Sequence, residues 1–87
     1  MHLFSVTIPN TVTSIENCAF YGCTKLTSIK IGKNLDIIGS NAFRKCTKLK
    51  TITLPKSIDK LGKNAFYGCS NLKTIIIFES LPKFLRV

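Results

Sequence analysis

Apolar positions return along this chain at a stride of 23 residues. Leu3, Leu26, Leu49 and Leu72 hold one phase, and Val6, Ile29, Ile52 and Ile75 hold the next. Ile8/Ile31/Leu54/Ile77, Val12/Leu35/Ile58/Leu81 and Ile15/Ile38/Leu61/Phe84 keep the same spacing, as do Ala19/Ala42/Ala65, Phe20/Phe43/Phe66 and Cys23/Cys46/Cys69. No insertion disturbs the register. A fixed period between about 20 and 50 residues marks a stack of similar supersecondary units, each burying its apolar face against the next.

Within one stride the pattern changes character. Leu26-x-x-Ile29-x-Ile31 alternates like a short strand with one buried face, leaving Ser28 and Lys30 outward. Gly32 ends that strand, as Pro9 and Pro55 do in the sister units, because proline cannot continue a ladder. Thr11, Asn34, Ser57 and Ser80 share a column suited to hydrogen-bonding turn backbone. Leu35 and Ile38 return to the core, and Gly39 and Gly62 are expected to turn the corner with positive φ. Asn41 and Asn64, just before Ala-Phe, are placed to cap a short helical turn that runs to the cysteine. The first unit departs from its sisters here, with Glu16 in place of the corner glycine and Cys18 in place of the asparagine.

This reading makes residues 1–87 one domain of about three and three-quarter units: 3–25, 26–48, 49–71 and a partial 72–87. The last stops before Ala-Phe, and neither end carries a visible polar cap. The chain is expected to be either an excerpt of a longer array or a short member with bare ends. Bare ends predict end-to-end self-association through columns such as Val6/Ile8 and Ile75/Ile77. No apolar run approaches a membrane span, no signal peptide opens the chain, and localisation is unknown from the residues themselves.

Composition changes the picture in one respect. Thirteen Lys and Arg against four Asp and Glu leave a net charge of +9, which favours polyanionic partners. Eleven of those thirteen are lysine, and arginine is the residue suited to bidentate phosphate recognition, so the excess leans toward solvation.

The motif Leu-x-x-Ile-x-Ile-Pro-x-x-Val-x-x-Ile-x-x-x-Ala-Phe-x-Gly-Cys is carried by Ile8-Pro9, Val12, Ile15, Ala19-Phe20 and Gly22-Cys23, and again almost in full by Leu49 through Cys69. It resembles the BspA-like class of leucine-rich repeats over essentially the whole chain. That resemblance implies an α/β fold, a right-handed leucine-rich-repeat solenoid with a parallel β-sheet on one face and short helical turns or loops on the other. It further implies a cell-surface or secreted recognition protein of adhesion type, binding a protein or glycan ligand such as host matrix. The family defines no catalytic residues.

Candidate chemistry is sparse. The outward strand face offers Ser5, Ser28, Thr51 and Thr74 in one column and Thr7, Lys30 and Thr53 in the next, flanked by Lys50 and Lys73. Its small hydroxyls suit glycans or peptide backbone, its lysines suit acidic groups, and the bland alternative is ordinary exposed strand surface. Tyr21, Arg44 and Tyr67 form a second, convex patch in which the guanidinium is expected to stack between phenol rings. The Cys23/Cys46/Cys69 column reads as buried free thiols, since three sulfurs in a line do not make a tetrahedral metal site. Cys18 stands outside it and is the reachable thiol. Asp36 and Asp59 form the one carboxylate column, with Lys33, Lys56 and Lys60 near in sequence, so they read as solvated charges. No catalytic residue, metal or cofactor is expected, and the chain is not read as an enzyme. A spacer repeat with only weak, nonspecific polyanion binding is the competing function.

Overall fold

In the computed structural model, which describes residues 4–77, the chain forms seven short strands. They are β1 (Ser5–Ile8), β2 (Ser14–Ile15), β3 (Ser28–Ile31), β4 (Ile37–Ile38), β5 (Thr51–Leu54), β6 (Lys60–Leu61) and β7 (Thr74–Ile77). Leu3, Ser80, Leu81, Phe84 and the broken end of the last unit lie outside the described residues.

The 23-residue stride becomes backbone register. β1 pairs in parallel with β3, Val6 beside Ile29 and Ile8 beside Ile31. β5 pairs likewise with β7, Thr51 beside Thr74. The two-residue strands β2, β4 and β6 form a continuous second ladder in which Ile15, Ile38 and Leu61 stand in line. β3 and β5 lie side by side yet share no ladder, so the face carrying the longer strands is two paired ribbons.

The core sits between these faces and is thickest in the middle of the stack. Leu26, Leu35, Ile38, Phe43, Leu49 and Ile52 are its largest fully buried side chains. Burial of each contributes about 1.5–3 kcal/mol. Outer members of the same columns, among them Val6, Val12, Phe20 and Phe66, are only partly covered. The phenylalanine column is a ring stack, with centroids 5.2 Å apart for Phe20–Phe43 and 5.5 Å for Phe43–Phe66.

Short helical turns or loops were expected opposite the strands, and the structure has loops there. Among the described residues there is no helix: 17–22, 40–45 and 63–68 are runs of turns. Their hydrogen bonds explain why. Cys18, Phe20 and Gly22 donate their N–H groups to the carbonyls of Ser40, Ala42 and Arg44 in the next coil. The intervening Ala19, Tyr21 and Cys23 donate locally to Glu16, Cys18 and Phe20. Asn41, Phe43 and Lys45 repeat the outward set toward Lys63, Ala65 and Tyr67. Every second amide points along the stack, so no run of local bonds can build a helix.

This alternation requires left-handed residues, and they are not where the glycine pattern suggested. Cys18, Asn41 and Asn64 have φ of 60°, 60° and 58°, so the asparagines are left-handed turn residues and not helix caps. Gly22, Lys45 and Gly68 form a second such column at 72°, 63° and 78°. Gly39 and Gly62 are absent from the positive-φ set and are required for space. A Cβ on Gly39 would lie 2.6 Å from Asn17 N, and one on Gly62 would run into the backbone of Ser40 and Gly39. No described coil precedes Glu16, so a side chain is accommodated there.

Polar side chains tie the coils as anticipated, with partners one coil back. Asn34 donates from Nδ2 to the Asn10 carbonyl at 2.9 Å, and the Ser57 hydroxyl donates to the Leu35 carbonyl. The Lys33 and Ser40 amides donate to the Oδ1 atoms of Asn10 and Asn17 at 2.9 and 2.8 Å.

Candidate functional site

The period-2 alternation of the four longer strands sends one set of side chains to the core and the other to solvent. Ser5, Thr7, Ser28, Lys30, Lys50, Thr51, Thr53, Lys73 and Thr74 are all exposed. Ladder register sets Ser5 beside Ser28, Thr7 beside Lys30 and Thr51 beside Thr74, while Ile76 stands beside Thr53 as an exposed apolar neighbour. Lys50 and Lys73 adjoin through an N–H donated by Lys73 to the Lys50 carbonyl at 3.2 Å. The hydroxyl columns are therefore brought together in two pairs, and the break between β3 and β5 divides them.

At that break lies a cavity of about 600 Å³. Ile29, Ile31 and Pro55 supply its apolar lining, and Lys30, Lys33 and Lys56 bring three exposed ammonium groups to it. Lys33 and Lys56 were not among the strand-face candidates because they follow the strands. Their signal was nonetheless present, since the two stand 23 apart, one residue beyond the strand terminators Gly32 and Pro55.

Tyr21, Arg44 and Tyr67 come together as a stack. The Arg44 guanidinium carbon lies 4.8 Å from the Tyr67 ring centroid and 5.9 Å from that of Tyr21. Its NH1 donates to Asn41 Oδ1 at 3.3 Å, while its Nε is buried without a hydrogen-bond partner among the described residues. Both tyrosines remain exposed.

The sulfur column is buried at Cys23, Cys46 and Cys69, whereas Cys18 is exposed, and no disulfide joins any of the four. Cys46 Sγ donates to the Phe20 carbonyl at 3.2 Å and Cys69 Sγ to the Phe43 carbonyl at 2.9 Å. Burial pushes the Cys23 thiol up. Contact with Cys69, then burial, pushes Cys46 up, while the same contact holds Cys69 down at about 7. Among the described residues, no group of three His, Cys, Asp or Glu side chains could hold a metal ion, and no helix is long and apolar enough to cross a membrane.

Comparison with known proteins agrees with this architecture. Residues 2–85 match the family described as BspA type leucine rich repeat region (6 copies). The chain belongs to the BspA-type leucine-rich repeat family. Among solved structures, this leucine-rich repeat chain is similar to a leucine-rich repeat protein from Bacteroides capillosus, at a TM-score of 0.81 and 37% identity over 87% of this chain and 54% of that one. It is similar to a leucine rich cell surface protein from Faecalibacterium prausnitzii at 0.83 and 35%, over 86% of this chain and 20% of that one. A leucine rich repeat protein from T. pallidum follows at 0.61 and 28%, over 83% and 44%. The chain thus spans between 20% and 54% of the length of these relatives. No curated protein matches it.

Proposed function

We propose that this BspA-type chain is a non-catalytic recognition module, a short solenoid of adhesion type whose strand face binds a protein or glycan at the cell surface. One observation carries the reading. Seven exposed hydroxyl and ammonium side chains stand in backbone-fixed register on short parallel strands, with Lys50 and Lys73 exposed just before two of them, so a ligand meets them with little ordering cost. Membership of a leucine-rich repeat family supports an interaction role, and the description of the Faecalibacterium relative as a cell surface protein supports a surface address.

The net charge of +9 favours a second reading, a spacer that binds polyanions without selectivity. An array of matrix proteins, glycans, heparin and nucleic acid, probed at about 50 and about 200 mM salt, separates the two. Recognition predicts selective, salt-resistant binding that Thr53→Lys or Lys50→Glu weakens. A spacer predicts binding to polyanions alone, lost at the higher salt and indifferent to Thr53→Lys. End-to-end contact between copies also belongs to this proposal, since Phe4, Ile75 and Ile76 are exposed at the outer strands. A single monomeric species in sedimentation at high concentration would rule that contact out.

A further inference from the structure

The cavity between β3 and β5 is built differently from the rest of the strand face. Elsewhere each longer strand lies against a hydrogen-bonded neighbour. Here two adjacent strands run without a ladder. Its volume, about 600 Å³, falls within the range of about 300–1,000 Å³ usual for ligand pockets. The lining is aliphatic, from Ile29, Ile31 and Pro55, and contains no aromatic ring.

Charge narrows the occupant. Lys30, Lys33 and Lys56 all reach this one opening, and among the described residues none of them has a carboxylate within ion-pairing distance. Three unneutralised ammonium groups around an apolar slot repel one another and call for an anionic partner that also carries an apolar group. Lysine, a compact charge on a flexible stem, suits carboxylates approaching from several directions. A sugar ring would gain most from an aromatic platform, which this lining lacks, whereas an aliphatic side chain matches it.

We propose that the β3–β5 gap is a docking site for an acidic peptide segment, which seats one aliphatic side chain between Ile31 and Pro55 and sets its flanking carboxylates on Lys30, Lys33 and Lys56. The inference rests on the strand-face reading above and narrows it to a ligand class and an address.

The test uses the full chain and three probes: a labelled peptide with one central leucine flanked by glutamates, the same peptide with alanine at the centre, and heparin. Fluorescence anisotropy is expected to give binding of the leucine peptide about tenfold tighter than that of the alanine peptide, since the lost methylenes leave the slot unfilled. The double variant Lys33→Glu/Lys56→Glu is expected to lose about tenfold or more. The charge-matched Lys45→Glu/Lys63→Glu on the turn segments is expected to lose far less. All four lysines are exposed, and unchanged circular dichroism would confirm that folding is intact. Equal affinity for both peptides, or equal loss in both double variants, overturns the docking site. If array ligands still respond to Lys50→Glu and Thr53→Lys in that case, the strand-face function stands and only the peptide pocket falls.

Discussion

Lys45 and Gly68 make the same left-handed turn one coil apart, at φ of 63° and 78°. A side chain in this region costs roughly 1–2 kcal/mol, and glycine avoids that cost at the expense of unfolded-state entropy. Lys45→Gly is therefore expected to stabilise the chain by about 0.5 kcal/mol, read as a higher urea midpoint. Cys18→Asn should act in the same direction, because Asn41 and Asn64 fill that column in the other coils. A lower midpoint for both variants would show that the side chains contribute more than the turn costs.

Gly62 is a matter of space. Its missing Cβ leaves room for the backbone of Gly39 and Ser40, so Gly62→Ala must push two coils apart. We expect a loss of about 1–3 kcal/mol or more. Glu16→Ala, in the same column of the first coil, should change stability by less than about 0.5 kcal/mol. Equal effects at the two positions in chemical denaturation would remove the steric explanation.

The middle ring of the aromatic column should matter most. Phe43 is fully buried and stacks on both neighbours, while Phe20 and Phe66 are partly covered and stack on one side within the described residues. Phe43→Ala is expected to cost about 3–5 kcal/mol. That is enough to unfold a marginal domain, so Phe43→Leu is the informative companion, with a smaller loss and a measurable melting transition.

The thiols predict a pH dependence with a definite sign. Cys23 and Cys46 hold their protons more tightly folded than unfolded. Their contribution is complete below about pH 8.5 and is lost as pH rises beyond it. Cys69, held down at about 7, works oppositely: its contribution is present above about pH 8.5 and fades as pH falls through 7. Urea midpoints should therefore fall between about pH 8.5 and about pH 9.5, and Cys23→Ala should flatten that fall. Under native conditions near neutral pH only Cys18 should react with an aromatic disulfide reagent, the other three reacting on unfolding. A flat alkaline limb, or rapid reaction of more than one thiol, would contradict the buried column.

How much of this was legible depends on whether the cause lay within one unit. The strands were, because Ile29-x-Ile31 and Ile52-x-Leu54 state which face is buried, and the stride of 23 fixes what lies beside what. The turn segments were not. Asparagine before Ala-Phe fits a helix cap and a left-handed turn equally well, and the decision is made by carbonyls of Lys63, Ala65 and Tyr67 in another coil. Gly39 and Gly62 were singled out correctly and explained wrongly, since a close approach between coils leaves no mark in local sequence. The strand-face columns were legible from alternation, but the gap between β3 and β5 was not. Those strands carry the same pattern as the pairs that do form ladders, so nothing within either one announces the break.

The amides of Cys18, Phe20 and Gly22 all point toward the following coil, and those of Asn41, Phe43 and Lys45 do so again. The junction between coils on that side is made by main chain to main chain, and what it asks of the sequence is the left-handed and space-saving columns that the units themselves repeat. A duplicated or deleted stretch of 23 residues would meet the same amides and carbonyls at its borders as the original did. Gene copies could thus grow or shrink by whole units without renegotiating the seam, leaving the exposed columns free to vary in length and lettering.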